Sequence, residues 1–273
     1  MVYTPPEFNL KDLLKRGVHF GHKSCRWNPK MAQYTFMVHD GVHIIDLPKT
    51  VACLKKALGA VFETIQNGGR LLFVGTKNQA KDIIRQEAEK CGQYYVNHRW
   101  LGGTLTNWRT VSASIDRLTE LDERIESPDF VNYTKKEQLQ FSRKRDKLEK
   151  ALGGIRSMGD LPDMVFILDV YHERTAVLEA KKLGIPIVGV VDTNGDPDFI
   201  DYVIPGNDDS VDAIKLYIEA VSNAAVAGLQ AEMEKQGKEV KIEEPYKDAG
   251  AMNQNLLDEL AEKFTASVKK ESA

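Results

Sequence analysis

Two groups of residues have the donor atoms and the spacing of a metal site. His19, His22 and Cys25 lie three residues apart, as zinc ligands often do, but a closed zinc site needs a fourth ligand that the spacing does not indicate. The second group consists of aspartates that follow the strand predicted near residues 185–193, and their carboxylates could bind Mg²⁺. It comprises Asp192, Asp196, Asp198, Asp201, Asp208 and Asp209. Because these aspartates lie in turn-rich sequences, turn formation and capping are favoured, and we predict no metal and no cofactor.

One loop resembles a phosphate-binding turn. In FVGTKN, residues 73–78, a predicted strand leads into a predicted helix whose first N–H groups could bind a phosphate. The loop matches neither GxGxxG nor GxxxxGK[ST], so a nucleotide-dependent enzyme is a weaker alternative to a tight turn or to an RNA phosphate contact at Lys77. GxSxG is absent and His172 does not begin an HExxH motif, so nucleophilic or zinc-dependent catalysis finds little support.

The segment 15–34 interleaves cations with aromatic rings. Such cations neutralise phosphates, the rings can stack on unpaired bases, and Gly17 and Gly21 let the backbone come close. This composition favours RNA binding. The candidate contacts here are Lys15, Arg16, His19, His22, Lys23, Arg26, Trp27, Asn28 and Lys30.

A second candidate RNA-binding segment is NHRWLGGTLTNW, residues 97–108. It has a cation, two indoles, a diglycine and several hydrogen-bonding side chains. We expect its large apolar residues to pack the base of a helical insertion onto a sheet; they are Trp100, Leu101, Leu105 and Trp108. We expect its polar residues to face RNA; they are Asn97, His98, Arg99, Thr104 and Asn107.

The charges are unevenly distributed, although the net charge is only −3. Residues 1–160 carry 26 Lys and Arg against 18 Asp and Glu, and residues 161–273 carry 11 against 22. This asymmetry indicates a basic face for an anionic partner and an acidic region that faces solvent or a protein, while a chance imbalance on a solvated surface is the alternative.

Alternating strands and helices must position these residues. Apolar strands are predicted near residues 42–47, 71–76, 94–97, 164–170, 185–193 and 202–204. Helices are predicted near residues 49–67, 77–90, 173–183 and 210–229. This alternation predicts an α/β domain, residues 42–108 and 156–229, with a parallel sheet and helices on both faces.

Three further segments differ from this pattern. Residues 1–41 are expected to form an N-terminal arm, irregular after a short helix. In residues 109–155 the apolar spacing predicts an inserted antiparallel hairpin of coiled-coil type, which could also serve as the arm of a protein-interaction scaffold. Residues 230–273 are polar and charged, and we expect a mobile tail.

The composition indicates a cytosolic protein. The three cysteines include no CxxC, which favours reduced thiols. No apolar run approaches the roughly 20 residues of a membrane helix, and the N-terminus lacks the features of a signal peptide.

Seven strings occur in order along the chain: GVHFGHKSCRWNPKM, VHIIDL, LLFVGTK, NHRWLGGTLTNW, LGGIRSMGDLPD, GIPIVGVVDTNGDPD and VIPGNDD. Together they closely resemble the bacterial family of small-subunit ribosomal protein two, with the mitochondrial or plastid branch of that family as the alternative. Cys25 is not part of the family motif, which further weakens the zinc hypothesis for His19, His22 and Cys25.

The resemblance implies a flavodoxin-like parallel sheet with an inserted antiparallel coiled-coil hairpin, and no catalytic activity. It implies a structural constituent of the small ribosomal subunit in the cytoplasm that acts in translation and binds small-subunit rRNA. The implied partners are neighbouring ribosomal proteins, including small-subunit protein one, which captures messenger RNA and which family members help to dock. The family's arm corresponds to residues 17–31, and its edge motif to residues 97–108.

Overall fold

The N-terminal segment forms a helix and a small antiparallel sheet. The computed structural model describes residues 3–235. Its first elements are α1 (Leu10–Lys15), β1 (Phe20–Lys23), β2 (Thr35–His39) and β3 (Val42–Ile45). The strand order is β1-β3-β2. Asp40 and Gly41, both with positive φ, form the tight turn between β2 and β3.

This sheet corrects two expectations. Residues 1–41 are not irregular after α1, and β3 does not belong to the parallel sheet. It pairs instead with β1 and β2, and Ile44 lies opposite Phe20. The physical reason is that His43 and Ile45 are buried while Val42 and Ile44 are half-buried, an alternation typical of an antiparallel strand with one covered face.

A five-stranded parallel sheet forms the centre of the fold. Its strands are β4 (Leu71–Val74), β5 (Tyr94–Val96), β6 (Met164–Ile167), β7 (Ile187–Val191) and β8 (Tyr202–Pro205). Their order, β5-β4-β6-β7-β8, is the flavodoxin-like order, as expected. In the register, Leu71 lies opposite Met164 and Val188 lies opposite Tyr202. The inner strands are buried throughout.

Helices cover both faces of this sheet, which is why its inner strands are continuous apolar runs. The helices after α1 are α2 (Leu47–Gln66), α3 (Lys81–Lys90), α4 (Trp108–Glu126), α5 (Lys135–Leu152), α6 (Arg174–Leu183) and α7 (Val211–Lys235). Phe73 and Phe166 share a core with α2, α3 and α7. Val74 and Ile167, which point to the opposite face, share a second core with α6.

Helices α4 and α5 form an insertion between β5 and β6. A short 3-10 turn at Pro128–Asn132 joins them, and they pack against each other. Thr134 precedes α5 and caps it with a capping box, in which its backbone N–H donates to Glu137 and its hydroxyl accepts the N–H of Glu137. Ile115 and Leu152 bury the base of the insertion in the core beside α6. The expected coiled-coil character of this pair stays a prediction.

Helix α7 extends to Lys235, beyond the predicted end near residue 229, because Ala231 still packs in the interior. The rest of the predicted tail, from residue 236, lies outside the described residues. Among residues 3–235 no helix is both long and apolar enough to cross a lipid bilayer.

Candidate nucleic-acid interface

Lys77 lies at the edge of the sheet where the parallel strands end. Because loops that follow neighbouring strands meet at this edge, its Nζ reaches Asp169 Oδ2, Asp208 Oδ1 and Asp209 Oδ1, each at 2.8 Å. Burial lowers the pKa of Lys77, but the three carboxylates outweigh it and raise this pKa above its ordinary value. Lys77 is therefore an ion-pair partner of these carboxylates within the fold and is not a free cation for a phosphate.

His22 joins the N-terminal segment to the same edge. Its Nδ1 lies 2.8 Å from Asp192 Oδ2, and its backbone N–H donates to Thr193 Oγ1 at 2.8 Å. The hydrogen bond with Asp192 raises the pKa of His22. Gly21 makes this approach possible, since a Cβ there would lie only 2.8 Å from Thr193 Oγ1 and 3.0 Å from the backbone oxygen of His43. The close approach expected at Gly21 is thus made to Thr193.

The aspartates at this edge are not all exposed turn residues. Asp192 and Asp208 are 2% and 1% exposed, which corrects the expectation that the acidic half of the chain faces solvent or a protein. Burial, together with the charges of Asp169 and Asp192, raises the pKa of Asp208 to about 7. The loops after β6, β7 and β8 thus place several carboxylates in one buried cluster.

A second set of contacts fixes the arm to the loop after β7. The Asn28 backbone N–H donates to Thr193 O at 2.8 Å, and Asn28 Nδ2 donates to Gly195 O at 2.7 Å. Lys30 Nζ lies 2.8 Å from Asp196 Oδ2 and 2.5 Å from Asp198 Oδ2. These polar groups hold the arm in place, and they leave neighbouring cations to face outward.

The outward cations of the arm are Lys15, Arg16, Lys23 and Arg26, of which Arg16 is half-buried and the others are exposed. None of them forms an ion pair within residues 3–235. Trp27 is half-buried and stacks on His43 with 5.0 Å between ring centroids. His19 is also half-buried; burial lowers its pKa, and its ring lies 4.0 Å from that of Phe20. The arm therefore presents positive charge beside partly covered rings.

Glu179 of α6 organises the segment 97–108. One carboxylate oxygen accepts the Trp100 indole N–H at 3.1 Å and the Gly103 N–H at 2.7 Å. The other accepts the N–H groups of Leu105 at 3.0 Å and Thr106 at 3.1 Å, as well as the Thr106 hydroxyl. Burial raises the pKa of Glu179, but these donors outweigh it and hold the pKa below its ordinary value.

The structure divides the polar residues of this segment. Asn97 and Thr104 are 8% and 2% exposed, and they donate to the backbone oxygens of Lys81 and Leu101. This corrects the expectation that both face outward; the backbone of the loop uses their hydrogen-bonding groups. Leu101 is exposed, which corrects its expected place in the core, whereas Trp100 and Leu105 are buried and Trp108 packs at the core surface.

His98, Arg99 and Asn107 do lie on the surface. Burial lowers the pKa of His98, and so do the positive charges of Lys81 and Lys150. A cleft of about 130 Å³ between β5 and the end of α5 is lined by His98, Lys150 and Arg85. These contacts add Lys81 and Lys150 to the candidate interface, whereas Arg85 is paired with Glu89 at 2.9 Å. Lys150 could not be assigned to this interface from the sequence, because nothing in the spacing brings α5 next to His98.

Glu179 is the organising residue that the sequence analysis missed. A signal was available, because Glu179 falls on the buried stripe of α6 with Ala176 and Ala180, where a carboxylate needs partners.

Comparison with known proteins agrees with this fold. The family model described as Ribosomal protein S2 matches residues 13–228. The small ribosomal subunit protein uS2 of Rhodospirillum rubrum is 54% identical over 235 residues, covering 86% of this chain and 90% of that protein. The protein of the same name from Dinoroseobacter shibae is 52% identical over 262 residues, covering 96% and 97% of the two chains. The chain therefore belongs to the ribosomal protein S2 family, whose members are structural proteins of the small ribosomal subunit and act in translation rather than as enzymes.

Proposed function

We propose that the chain binds small-subunit rRNA through two basic surfaces, the arm and the segment around Arg99. The observation that carries this proposal is that some cations at the arm are paired with carboxylates of the chain and others are not. Lys30, Lys77 and His22 are bound to carboxylates of the chain itself, whereas Lys23 and Arg26 next to them are exposed and make no ion pair within residues 3–235. Cations that the chain does not neutralise itself are available to phosphates, and phosphate contacts fix how a protein is oriented on a nucleic acid.

The proposal assigns two roles to the candidate residues. The RNA contacts are Lys15, Arg16, His19, Lys23, Arg26, Trp27, His98, Arg99 and Asn107. The residues that hold these contacts in place are His22, Asn28, Lys30, Lys77, Asn97 and Thr104. This division follows from the internal hydrogen bonds and ion pairs of the second set.

Binding of the full chain to small-subunit rRNA across a salt series tests the proposal. Arg26→Gln and Arg99→Gln should each weaken binding several-fold and reduce the slope of log K against log salt by about 0.7 to 0.9, the value for one lost phosphate contact. Lys30→Gln is the matched control in the arm, because Lys30 is paired with Asp196 and Asp198, and it should keep the wild-type slope. A salt-independent affinity, or equal slopes in all four proteins, would contradict the proposal.

We also propose that the chain helps to dock small-subunit protein one, and strand β2 supports a protein contact. It lies at the edge of its sheet, and Phe36 is 71% exposed beside the exposed Met37 and Val38. An apolar edge strand offers both unpaired backbone groups and apolar area to a partner.

Phe36→Ser should lower the affinity of the purified chain for protein one about tenfold. Val131→Ser, at an exposed apolar residue in the turn between α4 and α5, is the control and should have no effect. An unchanged affinity in Phe36→Ser would remove β2 from this role.

In this proposal the protein acts in the cytoplasm on the small subunit, where it also contacts neighbouring ribosomal proteins. The α/β domain carries the arm, and residues 109–155 project from this domain as a coiled-coil hairpin. The exposed cations along α5, such as Lys144 and Lys147, give this hairpin a basic surface.

A further inference from the structure

The two sides of the seam between α4 and α5 differ in how their charges are paired. On one side Asp122 of α4 pairs with Arg145 of α5 at 3.5 Å and with Arg156 at 2.6 Å. On the other side the two helices leave a cleft of about 580 Å³ between them, which we call the insertion groove. It runs along α4 from Ser114 to Arg124, a length of about 15 Å or three helical turns.

The rim of the insertion groove is positively charged. Two cations from each helix surround it: Arg117, Arg124, Lys144 and Lys147. All four are exposed, and none of them forms an ion pair within residues 3–235. Among the described residues that line the groove, Glu120 is the single carboxylate. The rim therefore favours a ligand with negative charge.

The floor of the insertion groove is apolar. It is formed by three side chains that are only half-buried: Leu121, Phe141 and Leu148. Leu118, nearer the base of the insertion, is by contrast fully buried. Two helices cover each other along one narrow seam only, and further helices cover the flanks of such a seam in a bundle. The groove is therefore a place where a third helix can pack.

From the apolar floor and the positive rim together we propose that the insertion groove binds an acidic amphipathic α-helix of a partner protein. Apolar side chains of that helix, at intervals of three and four residues, pack on Leu121, Phe141 and Leu148. Its aspartates and glutamates, on both sides of the apolar stripe, pair with the cations of the rim. The inference is independent of the two proposed rRNA surfaces, since neither of them uses a residue of this groove.

The ring of Phe141 disfavours RNA as the occupant. Single-stranded RNA binds where cations lie beside rings that can stack on its bases. Phe141, the aromatic residue of the groove, is already in contact with two other side chains. The guanidinium carbon of Arg124 lies 5.6 Å from the centroid of this ring, and the ring of Tyr133 packs edge to face with it at 5.3 Å.

The rim also disfavours a second copy of this chain. In a two-fold symmetric contact the same patch of both copies meets itself. Such a contact would place the four cations of one rim against the same four cations of the other, and like charges across an interface repel. An acidic helix has the complementary charge.

Fluorescence anisotropy with the full chain and a labelled peptide tests the inference. The peptide has about 20 residues, enough for a helix, with leucine at intervals of three and four, glutamate on both sides of this stripe and glutamine elsewhere. A second peptide has lysine in place of glutamate. Wild-type protein should bind the glutamate peptide at least tenfold more tightly than the lysine peptide, and added salt should weaken this binding.

The double variant Lys144→Glu with Lys147→Glu should bind the glutamate peptide at least tenfold more weakly. Lys135→Glu with Lys136→Glu is the matched control, because it makes the same change of charge at the start of the same helix and outside the groove, and it should bind normally. All four lysines are exposed, so both double variants should fold. Equal affinities for the two peptides, or equal effects of the two double variants, would overturn the inference.

Two further measurements separate the other occupants. Both double variants should bind small-subunit rRNA alike; a loss confined to Lys144→Glu with Lys147→Glu would assign the groove to RNA and overturn the inference. Sedimentation velocity should show no self-association through the groove. A wild-type dimer that Leu121→Ser dissociates would assign the groove to a second copy and would equally overturn it.

Discussion

The carboxylate of Glu179 accepts the indole N–H of Trp100 at 3.1 Å and thereby ties α6 to the loop after β5. The same carboxylate accepts three backbone N–H groups of that loop, from Gly103, Leu105 and Thr106. One side chain therefore satisfies donors that would otherwise be unpaired beside the sheet. Arg99, next to the anchored Trp100, is exposed.

We predict that Glu179→Ala destabilises the protein by about 3 kcal/mol, because it removes the common acceptor of several partly buried donors. Urea unfolding measures the change. Glu89→Ala is the control, since Glu89 pairs with Arg85 on the surface, and it should cost at most about 0.5 kcal/mol. Equal effects of the two substitutions would contradict the anchoring role.

The lowered pKa of Glu179 predicts a dependence of stability on acid pH. A carboxyl whose pKa is lower in the folded than in the unfolded state stabilises the fold above the unfolded value, near 4.5, and this contribution is lost as the pH falls through the folded value. Thermal unfolding of wild-type protein between about pH 6 and pH 3 should therefore show a larger loss of stability than unfolding of Glu179→Gln. Parallel curves for the two proteins would show that Glu179 does not contribute.

Gly21→Ala should destabilise the contact between the arm and the loop after β7, because the added Cβ would lie 2.8 Å from Thr193 Oγ1 and 3.0 Å from the backbone oxygen of His43. A cost of about 1 to 3 kcal/mol is expected from such overpacking. Gly59→Ala in the middle of α2, where nothing lies within 4 Å of the added atom, should be neutral or stabilising by up to about 1 kcal/mol. Chemical denaturation distinguishes the two, and a neutral Gly21→Ala would mean that the arm is loosely placed.

Gly154→Ala should disturb the base of the α4–α5 insertion, because its Cβ would collide with the backbone oxygen and the ring of Tyr95. We expect a loss of about 1 to 3 kcal/mol and a change in hydrogen exchange at β5. Gly102→Ala, with nothing within 4 Å of the added atom, is the control. If exchange at β5 is the same in both variants, the insertion is not fixed at this glycine.

The parallel sheet could be predicted from the sequence because its signals are local. The apolar runs at β4, β6 and β7 and the helices of the domain are each recognised within a short stretch of sequence, so periodicity and turn residues suffice. The antiparallel sheet of the arm was missed because β1 and β2 are short, and their exposed residues, such as Phe20 and Phe36, give no clear alternation.

The candidate site was only partly predictable for a different reason. Arg26 and Lys30 are both cations of the arm, and the sequence does not distinguish their roles. Lys30 nevertheless pairs with Asp196 and Asp198, which belong to a loop that begins 166 residues further along the chain. No pattern within the arm reveals which cation has such a partner. The burial of Asn97 depends likewise on the distant backbone oxygen of Lys81.

The attachment of the arm also determines when in synthesis the arm can acquire its structure. His22 and Asn28 are fixed by Asp192, Thr193 and Gly195, between 165 and 171 residues later in the chain. Translation produces the arm first, but its docking partners emerge only after β7 has been made. The docked shape of the arm thus becomes available only when the α/β domain is almost complete.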